Sequence, residues 1–488
     1  MPAKKLVLTY VDSLRTDMLE RAVREERAPT FGALLERGVL VPDCVSSFPS
    51  VTPVACAEMV TGVAADRHWI SGMNWYHRLE RRYVEYGSSL EATRTVGVFR
   101  ALYDLVYNMN LAHLNPAAET LFERLGDAGV RTACTPFLIY RGRRRHQVSL
   151  EGLMRRAVET TRLKFRHHTW GPDELFYGEL YASREVPCKP TSIPGGRDGY
   201  SACCAVELER AGDYDFLLLS LPDNDNYSHR HGPEASVESI AKADHCLGKL
   251  VEAGGGMEAF LADHALILLA DHAQTPVSRG LPLAELLARE WTVLAPSDDR
   301  PELAQLAVSP TGRAAHVYVL PGEGERADPD EVRQRLVDTE GIDLVCRLDG
   351  RFAVVERGED RLRFHPGGPI ADLRDTSWQL DGDPGALAGT VEGGVFRSDE
   401  YPDALARVHA ALTAPQAGDF IISLAPGYEA VDWGGVSHAG GGSHGSLHAG
   451  DSLGPLLFVG CGPKDAGERE QWTLRDVAPV VLNHFGVM

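Results

Sequence analysis

The sequence predicts an α/β fold, a doubly wound and mostly parallel central sheet with helices on both faces and an inserted smaller α+β unit, and two observations carry that reading. First, short apolar runs at 6–11, 216–221, 265–270 and 456–459 are continuous rather than alternating, which is the pattern of parallel strands buried on both faces. Second, amphipathic segments such as 117–128 and 236–253 stand between them, as crossover helices must. Polar, chemically useful residues follow several of these runs at once. Ligands of open α/β sheets sit just beyond the carboxyl ends of strands, so Asp12, the stretch 223–231, and Asp271 with His272 are expected to converge on one edge.

The remaining segments follow other rhythms. Residues from about 77 to 200 carry aromatic and basic clusters, RGRRRHQ and RLKFRHHTWGPDELFYGELY, and are read as an elaboration over the site. Residues 297–425 hold the strand-like AAHVYVL, the helix-like DPDEVRQRLVDTE and further short strands and turns, and are read as an inserted α+β cap. The expected division is therefore a catalytic core of 1–296 plus 426–488, interrupted by a cap of 297–425.

The formal charge of -20 argues against a nucleic-acid groove or an anionic membrane surface as partner, since both would be repelled at long range. A small anionic substrate instead needs local positive charge, which bound divalent cations supply. No run reaches membrane-spanning length, and the N-terminus lacks the apolar segment followed by small residues of a signal peptide. Nine scattered cysteines without a C-x-x-C pair are read as reduced thiols, with a cytoplasmic location as the expectation.

Four segments carry the chemistry. In FPSVTPVACAEMVTG, Thr52 precedes Pro53, and proline favours the first position of a helix, so Thr52 is expected as its N-cap. Helix N-termini attract anions, and a phosphoryl group could sit against Thr52; taken alone, the segment favours a cap and nothing more. In DNDNYSHRHGP, Asp225 and His229 are four apart and share a helix face, a carboxylate and an imidazole that suit zinc. Asp223 is the competing carboxylate at a poorer spacing, and His231 is read as solvated or as a support. Asp271 and His272 end the run ALILLA and reach one ion only if the backbone curls there. Near the C-terminus, VSHAGGGSHGSLHAGD offers His438, His444 and His448 in a glycine-rich loop, of which His444, in the Ser-His-Gly turn, is favoured.

The chain-ordered set of Asp12, Thr52, Asp225-x-x-x-His229, Asp271-His272 and His444-Gly445 resembles the metal-site signature of the alkaline phosphatase superfamily. The FPSVT…VTG segment followed by RHWISGMNWY is similar to the nucleophile region of the nucleotide pyrophosphatase/phosphodiesterases. The resemblance implies a phosphohydrolase that cleaves a phosphodiester or a nucleotide pyrophosphate with Thr52 as covalent nucleophile and two Zn2+ per chain. One zinc would be held by Asp12, Thr52, Asp271 and His272, the other by Asp225, His229 and His444. It departs from the family at Ala55, where the pattern places a phosphate-holding asparagine. Asn74 or an arginine of the 77–200 segment could replace that donor.

Three rivals remain at this point. A phosphomonoesterase of the same superfamily would need a further cation, which RGRRRHQ could provide. A phosphomutase would use the same metals. A non-catalytic protein could retain the fold, although every expected ligand position holds a competent residue. A sulfatase is disfavoured, because those enzymes resemble a C-x-P-x-R nucleophile motif and the matching position here is the threonine of SVTPV.

Overall fold

In the computed structural model, which describes residues 3–147, 168–178, 180–189, 198–298, 300–322, 324 and 326–487, the first apolar run forms the strand Lys5–Val11 within an eight-stranded sheet. Across the sheet the order is Val39–Val45, Leu453–Val459, His264–Leu269, Lys5–Val11, Phe216–Leu221, Thr132–Cys134, Glu174–Tyr177 and Tyr181–Ala182. Lys5–Val11 pairs in parallel with both Phe216–Leu221 and His264–Leu269, so Asp12 and Asp271 leave neighbouring strands at the same edge. The strand is buried on both faces. Leu6, Leu8 and Tyr10 join one apolar cluster with the helix Thr52–Thr61, while Val7 and Val11 join another with the helices Thr16–Arg24, Asp198–Ala211 and Val237–Ala253. Two-sided burial explains why the run is apolar throughout.

One strand corrects the sequence reading. Leu453–Val459 runs antiparallel to both of its neighbours, His264–Leu269 and Val39–Val45. Its N-terminal half lies beside the end of His264–Leu269, with Leu456 opposite Leu269, so the preceding loop delivers it at the carboxyl edge and it must travel the opposite way. Continuous apolarity reports two-sided burial and carries no information on direction. Of the expected helices, 236–253 forms as Val237–Ala253, whereas 117–128 shortens to Leu121–Asp127, because Thr120 and Glu123 build a capping box that starts the helix later.

Residues 306–424 supply a nine-stranded second sheet, in which Leu344, Phe364 and Ile421 share the apolar cluster that covers one face of the central sheet. The hairpin of Asn74–His77 and Arg82–Glu85 packs against the first strand of this second sheet. The reading of all nine cysteines as thiols is also corrected: Cys188 and Cys203, fifteen residues apart, form a disulfide, and the other seven are free. Sequence spacing alone does not show which cysteines a fold brings together. The basic stretch 162–167 lies outside the described residues. Among the described residues, no helix is long and apolar enough to cross a membrane.

Candidate metal centre

Asp12 and Asp271 each end a strand, and because the strands are neighbours their carboxylates meet beneath a turn at Ser13. Ser13 has φ 58°, a left-handed conformation uncommon outside glycine, and this aims its backbone N–H at Asp271 Oδ1, 3.1 Å away. Asp271 Oδ2 accepts from the Tyr10 hydroxyl at 3.1 Å. The chain curls after Leu269, as two adjacent ligands require, and His272 Nε2 comes within 3.2 Å of Asp271 Oδ2 and 3.9 Å of Asp12 Oδ1.

Thr52 is the first residue of the helix Thr52–Thr61, and Val51 is its N-cap, so the expected N-cap moves by one position. The consequence is chemical. No side chain caps this helix, and the Thr52 hydroxyl, instead of satisfying a backbone N–H, lies 3.3 Å from His272 Nε2. Bonds from Val54 N and Ala55 N to Val51 O continue the helix, while Ser50 fixes the loop before it by donating from its hydroxyl to Ser446 O at 2.8 Å.

Asp225 and His229 fall on one face of the helix Asp223–His231, with His229 Nε2 3.3 Å from Asp225 Oδ1. His444 Nε2 lies 3.6 Å from the same oxygen, and its ring stacks on His272 with centroids 3.7 Å apart. Three carbonyls orient the three imidazoles. His229 Nδ1 donates to Gly442 O at 2.8 Å, His444 Nδ1 to Ser50 O at 2.8 Å, and His272 Nδ1 to Ala273 O at 3.2 Å. A carbonyl can only accept, so each Nδ1 carries the hydrogen and each Nε2 turns a lone pair inward, the arrangement of metal-binding histidine.

The electrostatics favour a cation. Asp12 and Asp271 are buried, and among the described residues neither pairs with Lys or Arg. Burial, together with their mutual repulsion and the charge of Asp225, pushes Asp12 well above the usual carboxylate range; burial pushes Asp271 up to about 6. Burial likewise holds His272 down at about 4 and His444 at about 3, so both rings are neutral at pH 7. Asp225, despite its burial, is kept well below the ordinary value, chiefly by His229. Two sets of donor atoms, Asp12, Asp271 and His272, and Asp225, His272 and His444, each lie within 4.8 Å of one another. Tetrahedral zinc with ligand bonds of about 2.0–2.2 Å needs donors roughly 3.3 Å apart, close to the separations around His272 and Asp225. The nitrogen and carboxylate donors fit a divalent metal ion such as zinc.

Other candidates stand apart. His448 Nε2 pairs with Asp343 Oδ2 at 2.8 Å, in a cluster with Arg357 and Glu400. His438 is half-buried, donates from Nδ1 to the buried Glu429 at 2.7 Å, and lies tilted against the His229 ring. The Asp223 carboxylate accepts from Asp198 N while Asp223 N donates to the Asp198 carboxylate, and the exposed His231 lies against Tyr227. Ala55 is fully buried in the helix. Asn74 is buried in its hairpin, and neither polar atom of its amide finds a protein partner. The RGRRRHQ cations expected to serve a substrate are mostly committed elsewhere. Arg141 and Arg143 bond Glu123, Arg143 also bonds Glu119 and Asp127, and Arg144 bonds Asp173. These pairings join residues 16 to 29 apart in sequence, which composition does not reveal.

Three contributors were not singled out in the sequence. Ser13 donates to Asp225 Oδ1 at 2.8 Å, Gln274 Nε2 does so at 2.6 Å, and Tyr10 holds Asp271. Their only sequence signal is position, within two residues of Asp12 or His272. Farther out, the buried Arg407 ties the loop before Thr52 to the loop after His444. It donates to Ser47 O at 2.7 Å, Leu447 O at 3.1 Å and the Ser452 hydroxyl at 2.6 Å.

The family model for type I phosphodiesterase / nucleotide pyrophosphatase matches residues 6–447. No curated protein matches the chain at the level of sequence. Among solved structures, murine ectonucleotide pyrophosphatase / phosphodiesterase 5 superposes with a TM-score of 0.58 at 15% identity, over 99% of this chain and 96% of that one. An inactive threonine-to-alanine variant of the murine protein, in complex with AMP, gives a TM-score of 0.57 at 15% identity, over 99% and 96%. Phosphonoacetate hydrolase from Sinorhizobium meliloti 1021, in complex with phosphonoformate, gives 0.55 at 16% identity, over 100% and 95%. At these identities the likeness is one of fold.

Proposed function

We propose that this chain, which belongs to the type I phosphodiesterase / nucleotide pyrophosphatase family and hydrolyses phosphoester bonds, cleaves a phosphodiester or nucleotide pyrophosphate through a covalent phospho-threonine at Thr52 beside two zinc ions. The observation that carries the reading is the Thr52 hydroxyl, free of any capping bond and 3.3 Å from His272 Nε2. Asp12, Thr52, Asp271 and His272 are the proposed ligands of one ion, and Asp225, His229 and His444 those of the other. When bound, the ions lower the pKa of the Thr52 hydroxyl and stabilise developing negative charge on the leaving oxygen.

The chain's own groups do the rest. Thr52 Oγ1 gives up its proton and forms a bond to phosphorus as the bond to the leaving oxygen breaks, and that oxygen departs with its alcohol or phosphate group; water then forms a bond to phosphorus, the Thr52 Oγ1–P bond breaks, Thr52 Oγ1 regains a proton, and a phosphomonoester departs. Ser13 and Gln274 hold Asp225 by direct hydrogen bonds, and the three backbone carbonyls hold the imidazoles, so the donors are aligned before substrate arrives. Asn74, with its amide unpaired and buried, is the proposed donor to a phosphate oxygen in place of the one missing at Ala55. The turn 311–313 links the two regions: Met73 N donates to Thr311 Oγ1 at 3.4 Å, and Arg313 N to His444 O at 2.6 Å.

Commitment of Arg141, Arg143 and Arg144 to carboxylates occupies three of the four arginines first considered for a phosphomonoester, which favours the diester reading. The substrate class is a small nucleoside phosphate ester, in keeping with the AMP complex of the murine protein. Rates of the zinc-loaded protein on a phosphomonoester, a phosphodiester and a nucleotide pyrophosphate, with and without Thr52→Ala, test the reading. Turnover that survives the substitution contradicts it.

A further inference from the structure

The hairpin that carries Asn74 holds a second group of the same kind. Asn74 and Glu85 are directly opposed across the antiparallel pair, so their side chains leave the same face with Cβ atoms roughly 5 Å apart. Glu85 is fully buried and Asn74 is 1% exposed. Glu85 Oε1 accepts from the backbone of Gly87 at 2.8 Å and of Ser88, while Glu85 Oε2 and both polar atoms of the Asn74 amide have no partner. Among the described residues, no Lys, Arg or His lies within ion-pair distance of Glu85; the nearest named charge is the carboxylate of Asp432, which repels it. Buried polar groups are almost always paired, so three unpaired atoms on two directly opposed residues mark a place for a ligand atom or an ordered water.

We infer that Glu85 is a specificity-determining residue that sets a charge limit on the phosphoryl group held by Asn74, admitting the monoanion of a phosphodiester and disfavouring the dianion of a phosphomonoester. The inference rests on the proposed reading of Thr52 and Asn74. An amide beside a carboxylate offers a donor to one phosphate oxygen and a like charge to the next, and an unpaired charge placed against the wrong ligand is a means of discrimination. The carboxylate stands directly opposite Asn74 in the hairpin and is shielded from water, so its repulsion of a phosphoryl group held by that amide is weakly screened. Burial pushes Glu85 up to about 7, so the group is ionised in an alkaline assay.

The test is the preference ratio, diester over monoester, measured at about pH 8.5 on the zinc-loaded full chain with bis-p-nitrophenyl phosphate and p-nitrophenyl phosphate. Glu85→Gln preserves shape and the acceptor oxygen of Oε1. It should lower the kcat/KM ratio by about tenfold or more, mainly by raising the monoester value. A second measurement needs no turnover: in the Thr52→Ala background, Glu85→Gln should tighten binding of methyl phosphate relative to dimethyl phosphate by a similar factor. Asn74→Asp in that background adds a second carboxylate on the same face and should weaken methyl phosphate most. An unchanged ratio, or equal losses on both esters, overturns the inference. Failure of the Thr52 reading is a separate result, since it would show as turnover that survives Thr52→Ala.

Discussion

Thr52 Oγ1 and His272 Nε2 stand 3.3 Å apart although 220 residues separate them in sequence. The contact exists because the helix start at Thr52 leaves its hydroxyl uncapped and because the chain curls after Leu269. From the same nitrogen, Asp271 Oδ2 is at 3.2 Å and Asp12 Oδ1 at 3.9 Å, so the side chain proposed to attack phosphorus and the side chains proposed to hold its ion share one point.

Removal of His444 should cost one zinc of two. Its Nε2 is 3.6 Å from Asp225 Oδ1 and its Nδ1 is fixed on Ser50, so His444→Ala should leave a chain with about one zinc by metal analysis. His438→Ala should keep both. His448→Ala should keep both but lower Tm, because it strips the buried partner from Asp343. Two zinc ions retained by His444→Ala would contradict the ligand assignment.

Chelation should inactivate the enzyme and destabilise it. Among the described residues neither Asp12 nor Asp271 pairs with Lys or Arg, so both would lose the proposed cation, and binding to the folded state alone stabilises by about 4 kcal/mol at a thousand times Kd. Zinc should restore both activity and Tm, and magnesium should not, given the nitrogen donors. Full activity after exhaustive chelation would refute a metal-dependent mechanism.

The stability of the protein should carry the signature of Glu85. Its folded pKa, about 7, lies above the unfolded value of 4.5, so folding favours the protonated acid. The stability is intact below about pH 4.5, falls as pH rises through 7, and is level beyond. Glu85→Gln lacks this loss and should gain on wild type by about 3 kcal/mol between pH 4.5 and 8 in denaturant unfolding. A difference that does not change with pH would mean the carboxylate is not buried and unpaired.

Arg407→Ala should unfold more readily, by about 3 kcal/mol or more, because it abandons acceptors on Ser47, Leu447 and Pro402 in a buried site. It should also lower kcat more than it raises KM, since the loops it joins carry Thr52 and His444. A normal kcat in a destabilised protein would limit Arg407 to a structural role.

The parts legible in the sequence were those in which residue type and local spacing suffice. The strands at Lys5–Val11, Phe216–Leu221 and His264–Leu269 announce themselves by unbroken apolarity, and Asp225 with His229 by helical spacing. What could not be read depends on distant chain. The direction of Leu453–Val459 follows from where its preceding loop crosses the sheet edge. The pairing of Arg141 and Arg143 follows from where Glu123 happens to lie, and that of Cys188 with Cys203 from where the helix Asp198–Ala211 places Cys203. Ser13 and Gln274 flank the expected ligands, yet nothing in Ser or Gln as residue types separates a supporting bond from a solvated loop.

The central claim is tested most directly by kcat of the zinc-loaded Thr52→Ala variant on bis-p-nitrophenyl phosphate, compared with wild type and Thr52→Ser under the same conditions. Loss of a nucleophile removes the covalent route, and the expected fall is on the order of a thousandfold or more, with Thr52→Ser retaining turnover and the circular dichroism spectrum unchanged. A Thr52→Ala enzyme that turns over near the wild-type rate would show that Thr52 does not attack phosphorus.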